Sequence, residues 1–174
     1  MTVLGFREAV DTAEPVDIGE DLVVPVVTLP AFVLLKLFAW KDRRLQKNTD
    51  AGDILFVLRN YFQAGNIERT FEQALDLLET EGADPLRAAA GLLGRDVRDL
   101  AYPETQAALQ AMLQAPEDAE RLRADLEARA ATLLGGFVDD SDALLATFTK
   151  ELLSIGDANG NRANEKPGGP VAGV

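Results

Sequence analysis

Residues Ala31–Trp40, AFVLLKLFAW, put apolar side chains on almost every side of a helix and interrupt them once, with Lys36. A helix that is apolar all round has to be packed on more than one side, so this segment demands a core built about it. It is too short for a bilayer, which takes roughly 20 apolar residues to cross, so burial in protein is expected and no membrane partner. Thr28 as N-cap and Pro30 in the first turn start the helix, which is expected to reach about Arg44. The surrounding stretch, Leu29–Tyr61, also holds the only Trp, the tightest cluster of positive charge and two aspartates three residues apart.

The rest of the chain reads as supports for that helix. Val3, Phe6 and Val10 fall at helical spacing and predict a short amphipathic helix at the start. PVDIGEDLVVPVV reads as a β-hairpin over about 15–27, turning at Gly19-Glu20-Asp21, with Pro25 marking its second strand as an edge or a bulge. Asp50 is expected to cap a helix through Ala64 that Gly65 closes, and a third helix is expected over Ile67–Thr80 with Phe71, Ala74, Leu75 and Leu78 inward. Then follow Pro85–Leu93 closed by Gly94, a short helical turn over Asp96–Leu100, Glu104–Leu113, Pro116 to about Leu134 broken at Gly135-Gly136, and a last helix after Asp140 or Ser141 through Leu153. Residues 154–174 are rich in Gly, Asn and Pro, carry almost no large apolar side chain, and are expected to form a disordered tail. The fold class is therefore α+β, mostly α: a short N-terminal β-hairpin and a helical bundle over 29–153, in one domain spanning 1–153.

Composition removes several chemistries. Without Cys or His, thiol catalysis, imidazole general-base catalysis, disulfides and ordinary zinc sites are excluded. With 29 acidic and 17 basic side chains, net charge −12, the molecule repels nucleic acid at long range, so a polyanion must meet a local positive patch. No signal-peptide pattern opens the chain, and a cytoplasmic protein is expected.

That patch lies between Lys36 and Lys47, where five basic residues oppose Asp42 alone. Lys36, Trp40, Arg43 and Lys47 are spaced by four, seven and eleven residues from the first and share one direction if the helix runs that far. Phosphate is the guest such a stripe suits, and Lys36, Arg43 and Lys47 are the candidate phosphate contacts. A solvated helix end, with cations offsetting the macrodipole, accounts for Arg43, Arg44 and Lys47 equally well. Lys36 interrupts an apolar run, so it either snorkels to solvent or pairs with Asp50 or Asp53. Asp50 and Asp53 fit a helix cap and its third-residue acid; two carboxylates without a third oxygen ligand make no metal site, and none is assigned. Tyr61 and Tyr102 carry no sign of catalysis, and Gly91–Asp96 reads as a helix end rather than a phosphate loop.

Five stretches carry a family likeness: MTVLGFREA, TLPAFVLLKLFAWKDRR, the K-x-x-D-A-x-D pattern of Lys47 to Asp53, LRNYFQAGN and AGLLGRD. On these the chain resembles the C-terminal half of bacterial nucleotidyltransferase-like proteins related to the AbiEii toxin family, of the polymerase-β type. The resemblance implies transfer of a nucleoside monophosphate from a nucleoside triphosphate with Mg2+, Lys36 touching the triphosphate and Asp53, beside Asp50, supporting the site. It also implies an earlier Gly-Ser segment with an Asp-x-Asp pair for the metals, and no Gly-Ser dipeptide occurs in this sequence. The chain is accordingly expected to be inactive alone, to bind neither Mg2+ nor triphosphate tightly, and to be a truncated piece or half of a split enzyme whose missing N-terminal half or protein partner meets an apolar edge near Leu22–Val27. The alternative is a non-catalytic helical interaction or scaffold protein. Toxin–antitoxin pairing, the nucleotide, and whether the acceptor is a nucleic acid stay open at this stage.

Overall fold

The computed structural model describes residues 3–45, 49–134 and 140–154. Among them the chain forms α1 (Phe6–Asp11), β1 (Glu14–Asp17), β2 (Val23–Val26), α2 (Leu29–Arg43), α3 (Thr49–Asn60), α4 (Ile67–Gln73), α5 (Leu75–Thr80), α6 (Pro85–Leu100), α7 (Pro103–Gln114), α8 (Pro116–Leu134) and α9 (Ser141–Leu153). The expected class holds: a mostly helical α+β chain led by one antiparallel hairpin. The expected break at Gly135-Gly136 and nearly all of the expected tail lie outside the described residues.

α2 is the centre that its sequence demands. Val33, Leu34, Leu37 and Trp40 are fully buried, and the helix packs against α1, α3 and α6. α3 answers with Ile54, Leu55, Val57 and Leu58 and also meets α8 and α9. In the hairpin Glu14 faces Val26 and Pro15 faces Pro25, so one cross-strand pair lacks both N–H donors. Its turn closes with Ile18 N–H donating to Leu22 O at 3.0 Å and Gly19 N–H donating to the Asp17 carboxylate at 2.8 Å. Val16, Ile18, Leu22, Val23 and Val26 remain exposed, and among the described residues the hairpin pairs with no third strand.

Several expectations are corrected. α6 runs unbroken from Pro85 to Leu100, so Gly94 ends no helix. A Cβ at Gly91 would lie 2.6 Å from Leu77 Cδ1 of α5, and one at Gly94 would collide with the Phe148 carbonyl oxygen of α9, because both helices lie against α6 here. The glycines permit backbone contact between helices instead of a turn. Ile67–Thr80 divides at Ala74 (φ −129°) into α4 and α5, which exposes Phe71 and Leu75 and leaves Thr70, Ala74 and Leu77 as the buried residues. The Val3, Phe6, Val10 stripe points outward; α1 buries Glu8 and Ala9 instead. The cause is a polar tether: Glu8 accepts a hydrogen bond from Tyr102 N–H at 3.1 Å, and Tyr102 Oη donates to Asp11 at 2.5 Å. Asp50 lies one residue inside α3, which begins at Thr49, and its carboxylate is held by side chains of α2.

Candidate functional site

α2 and α3 are joined by a short connection and packed side by side, which brings four of the five residues singled out from sequence together. Asp50 is their hub: its side chain is 1% exposed. Arg43 Nη2 donates to both of its oxygens, at 2.7 and 2.9 Å, and Lys36 Nζ donates to Oδ1 at 3.3 Å. Lys36 also meets Asp53 Oδ2 at 2.7 Å and lies 5.2 Å from the Phe32 ring centroid. Arg43 is half exposed and so is Asp53, so the cluster is closed at Asp50 and open to solvent on its other side. Lys47 lies outside the described residues.

Two basic and two acidic side chains meet in this cluster, and the buried Asp50 is its fixed point. Burial by itself pulls the Lys36 pKa down. Hydrogen bonds to Asp53 and Asp50, with the charges behind them, outweigh burial and hold it above the ordinary lysine value. Lys36 is therefore an ammonium at neutral pH, presented from an otherwise apolar helix at the edge of a cleft.

That cleft, of about 250 Å3, is lined by Leu4, Phe6, Leu35, Phe38 and Ala39, with Lys36, Asp42 and Arg43 at its polar side. Sequence reasoning did not find it. Leu4 precedes α1 and Phe6 opens it, and no local pattern indicates that this end of α1 lies along α2. The positive stripe is also divided. Lys41 and Arg44 both donate to Asp118 of α8, and Trp40 is buried with its indole N–H on Asp125 at 3.0 Å. These residues tie α8 to α2, across 74 residues of chain in the case of Arg44 and Asp118.

A second polar group lies beside the hairpin. Asp96 accepts from Arg69 at 2.8 and 3.1 Å and from Tyr61 Oη at 2.5 Å. Burial and then the Asp96 carboxylate push the Tyr61 phenol well above its usual range, which makes it a hydrogen-bond donor and no general base.

Neither group holds a metal in its present arrangement. The Asp50 oxygens are committed to Arg43 and Lys36, and among the described residues no three of His, Cys, Asp or Glu lie close enough together to bind an ion. The described residues thus do not fit a two-metal centre by themselves.

A family model for the nucleotidyl transferase AbiEii toxin, Type IV TA system, matches residues 4–147, a span that contains every element from the cleft to the middle of α9. The chain belongs to this family. No curated protein and no solved structure matches it. AbiEii membership makes it nucleotidyltransferase-like and a member of a toxin–antitoxin family. No helix among the described residues is long and apolar enough to cross a membrane.

Proposed function

We propose that the chain, as one domain over 1–153, forms the helical, nucleotide-facing wall of a nucleotidyltransferase that moves a nucleoside monophosphate from a nucleoside triphosphate to an acceptor. The observation that carries this reading is the convergence of Lys36 and Arg43 on the buried Asp50 within a nucleotidyltransferase family. Asp50 anchors both cations. Asp53, the more exposed partner, is the one that a phosphate oxygen displaces from Lys36, so the ammonium passes to the triphosphate without leaving Asp50. Arg43 adds a second charge beside it, and Lys47 is assigned as a third phosphate contact.

In-line phosphoryl transfer in such enzymes uses Mg2+ to neutralise charge on the attacking and leaving oxygens. The carboxylates for that are assigned to another segment or chain, and without it this wall is inactive and binds triphosphate weakly. The hairpin supports this, because Val16, Val23 and Val26 are exposed and among the described residues its edges pair with no third strand, which suits the addition of a further strand. Membership in a toxin–antitoxin family supports an antitoxin as an additional protein partner.

The test is binding of inorganic tripolyphosphate and of nucleoside triphosphates, read by broadening of their 31P resonances. Lys36→Ala should weaken the interaction by roughly tenfold or more, the loss expected for a hydrogen bond between charged groups. Unchanged broadening in Lys36→Ala would remove Lys36 from the site. The second reading, a non-catalytic scaffold, is favoured by the mutual neutralisation of Lys36, Arg43, Asp50 and Asp53. It requires that the parent chain give no 31P broadening at all, while Lys36→Ala still lowers the melting temperature.

A further inference from the structure

We propose that the cleft between α2 and the N-terminal end of α1 receives the nucleobase of the triphosphate, an inference that rests on the phosphate role assigned to Lys36 and Arg43. Its volume, about 250 Å3, falls below the roughly 300–1,000 Å3 of pockets that enclose whole ligands, so it takes one ring-sized group and not an entire nucleotide. Its lining is mostly apolar, from Leu4, Leu35, Phe38 and Ala39. Phe6 at its mouth is 54% exposed, an aromatic ring that the chain itself leaves uncovered.

A planar, weakly polar guest with a π-face satisfies those walls. Stacking on an aromatic side chain accepts any base, so the cleft gives affinity with little sequence preference. Lys36 and Arg43 belong at once to this lining and to the cluster on Asp50. A guest seated in the apolar part therefore has its charged end beside two cations, Lys36 and Arg43, and one carboxylate, Asp42. That continuity selects a molecule with an aromatic ring at one end and a polyanion at the other, which is the form of a nucleoside triphosphate. An aliphatic guest would need no cations there, and a free phosphate would need no apolar wall.

Ligand-observed NMR on the full chain separates the two ends of the guest. Saturation is transferred from protein methyl groups to ATP and CTP, with 31P broadening followed in the same samples and inorganic tripolyphosphate as the probe lacking a base. The base protons should take up more saturation than the ribose protons. Ala39→Trp, which fills the cleft from α2, should abolish that uptake and leave the broadening of tripolyphosphate unchanged. Phe6→Ala, at a position 54% exposed, should weaken nucleotide binding by roughly tenfold, the order of one lost base–aromatic stack, with an unchanged thermal midpoint as the control for folding. Base protons that take up no excess saturation while 31P broadening persists would overturn the base site and leave the phosphate role standing. So would base uptake that survives both substitutions. Absence of both signals in the parent chain would overturn the phosphate role and the base site together.

Discussion

At the scale of single residues, Asp50 carries the heaviest requirement. Its side chain is 1% exposed, and three hydrogen bonds from Arg43 and Lys36 stand where water would otherwise solvate the carboxyl group. Asp50→Ala removes the acceptor from both cations at once. Arg43 and Lys36 are 50% and 24% exposed and can turn toward solvent, so the cost is set by the lost bonds and not by a stranded buried charge. A loss of about 1–3 kcal/mol in unfolding free energy is expected, measured by urea denaturation. An unchanged midpoint would mean that the cluster is solvated in solution. Asp53→Ala removes only the exposed partner and should leave stability nearly unaltered, as surface ion pairs do.

At the scale of elements, close contact of α6 with α9 depends on the missing side chain at Gly94, and its contact with Leu77 of α5 on the one missing at Gly91. Gly94→Ala would drive a methyl group into the Phe148 carbonyl and to 3.1 Å from Leu152 N, and neither backbone can move without separating the helices. Destabilisation of about 1–3 kcal/mol or more is expected, seen as a lower thermal midpoint, and an unaffected midpoint would contradict the packing. Glu8→Ala acts differently: it frees Tyr102 N–H and releases α1, so hydrogen exchange should speed up in α1 before the bundle loosens. The difference between these two cases explains what was legible from sequence. Helices that start behind Pro30, Pro85, Pro103 and Pro116 follow from rules confined to one turn, and they stand where those rules put them. Gly94 was read as a stop because the stop rule is local, whereas the reason for a glycine there is a helix more than 50 residues later. The outward turn of Phe6 and Val10 has the same origin, since Glu8 finds its acceptor role at Tyr102, 94 residues on. The Lys36, Asp50, Asp53 grouping was legible because it spans adjacent helices. The ties of Lys41 and Arg44 to Asp118 were not, because α8 is remote in sequence.

At the scale of the whole molecule, the bundle is held by carboxylates at its joints. Glu8 fastens α1 to the start of α7, Asp76 fastens α5 to Arg95 of α6, and Asp118 fastens α8 to Lys41 and Arg44 of α2. All three have pKa values below the ordinary carboxylate range. For Glu8 burial acts upward and the Thr105 hydroxyl and nearby backbone N–H groups outweigh it; for Asp76 Arg95 is the leading cause; for Asp118 burial acts upward and is outweighed by Lys41 and Arg44. A depressed folded-state value means that the unfolded chain takes up protons first as pH falls. Their contribution is therefore complete above the unfolded value near 4 and is lost as pH drops through the lower folded values. No histidine is present, so no side chain with an ordinary pKa changes charge between about pH 5 and 8. The thermal midpoint should accordingly be level from about pH 8 to 5 and fall steeply below about pH 4, even though net repulsion is relieved as the charge approaches zero near the sequence pI of 4.4. Glu8→Gln and Asp118→Asn combined should flatten the acid limb at the expense of stability at neutral pH, with Asp76→Asn adding little because its side chain is 64% exposed and its pair with Arg95 is screened by solvent. A midpoint that instead rises as the pH falls from 6 toward the sequence pI of 4.4 would show that repulsion among the 29 acidic residues, and not the three joints, governs the stability of the fold in acid.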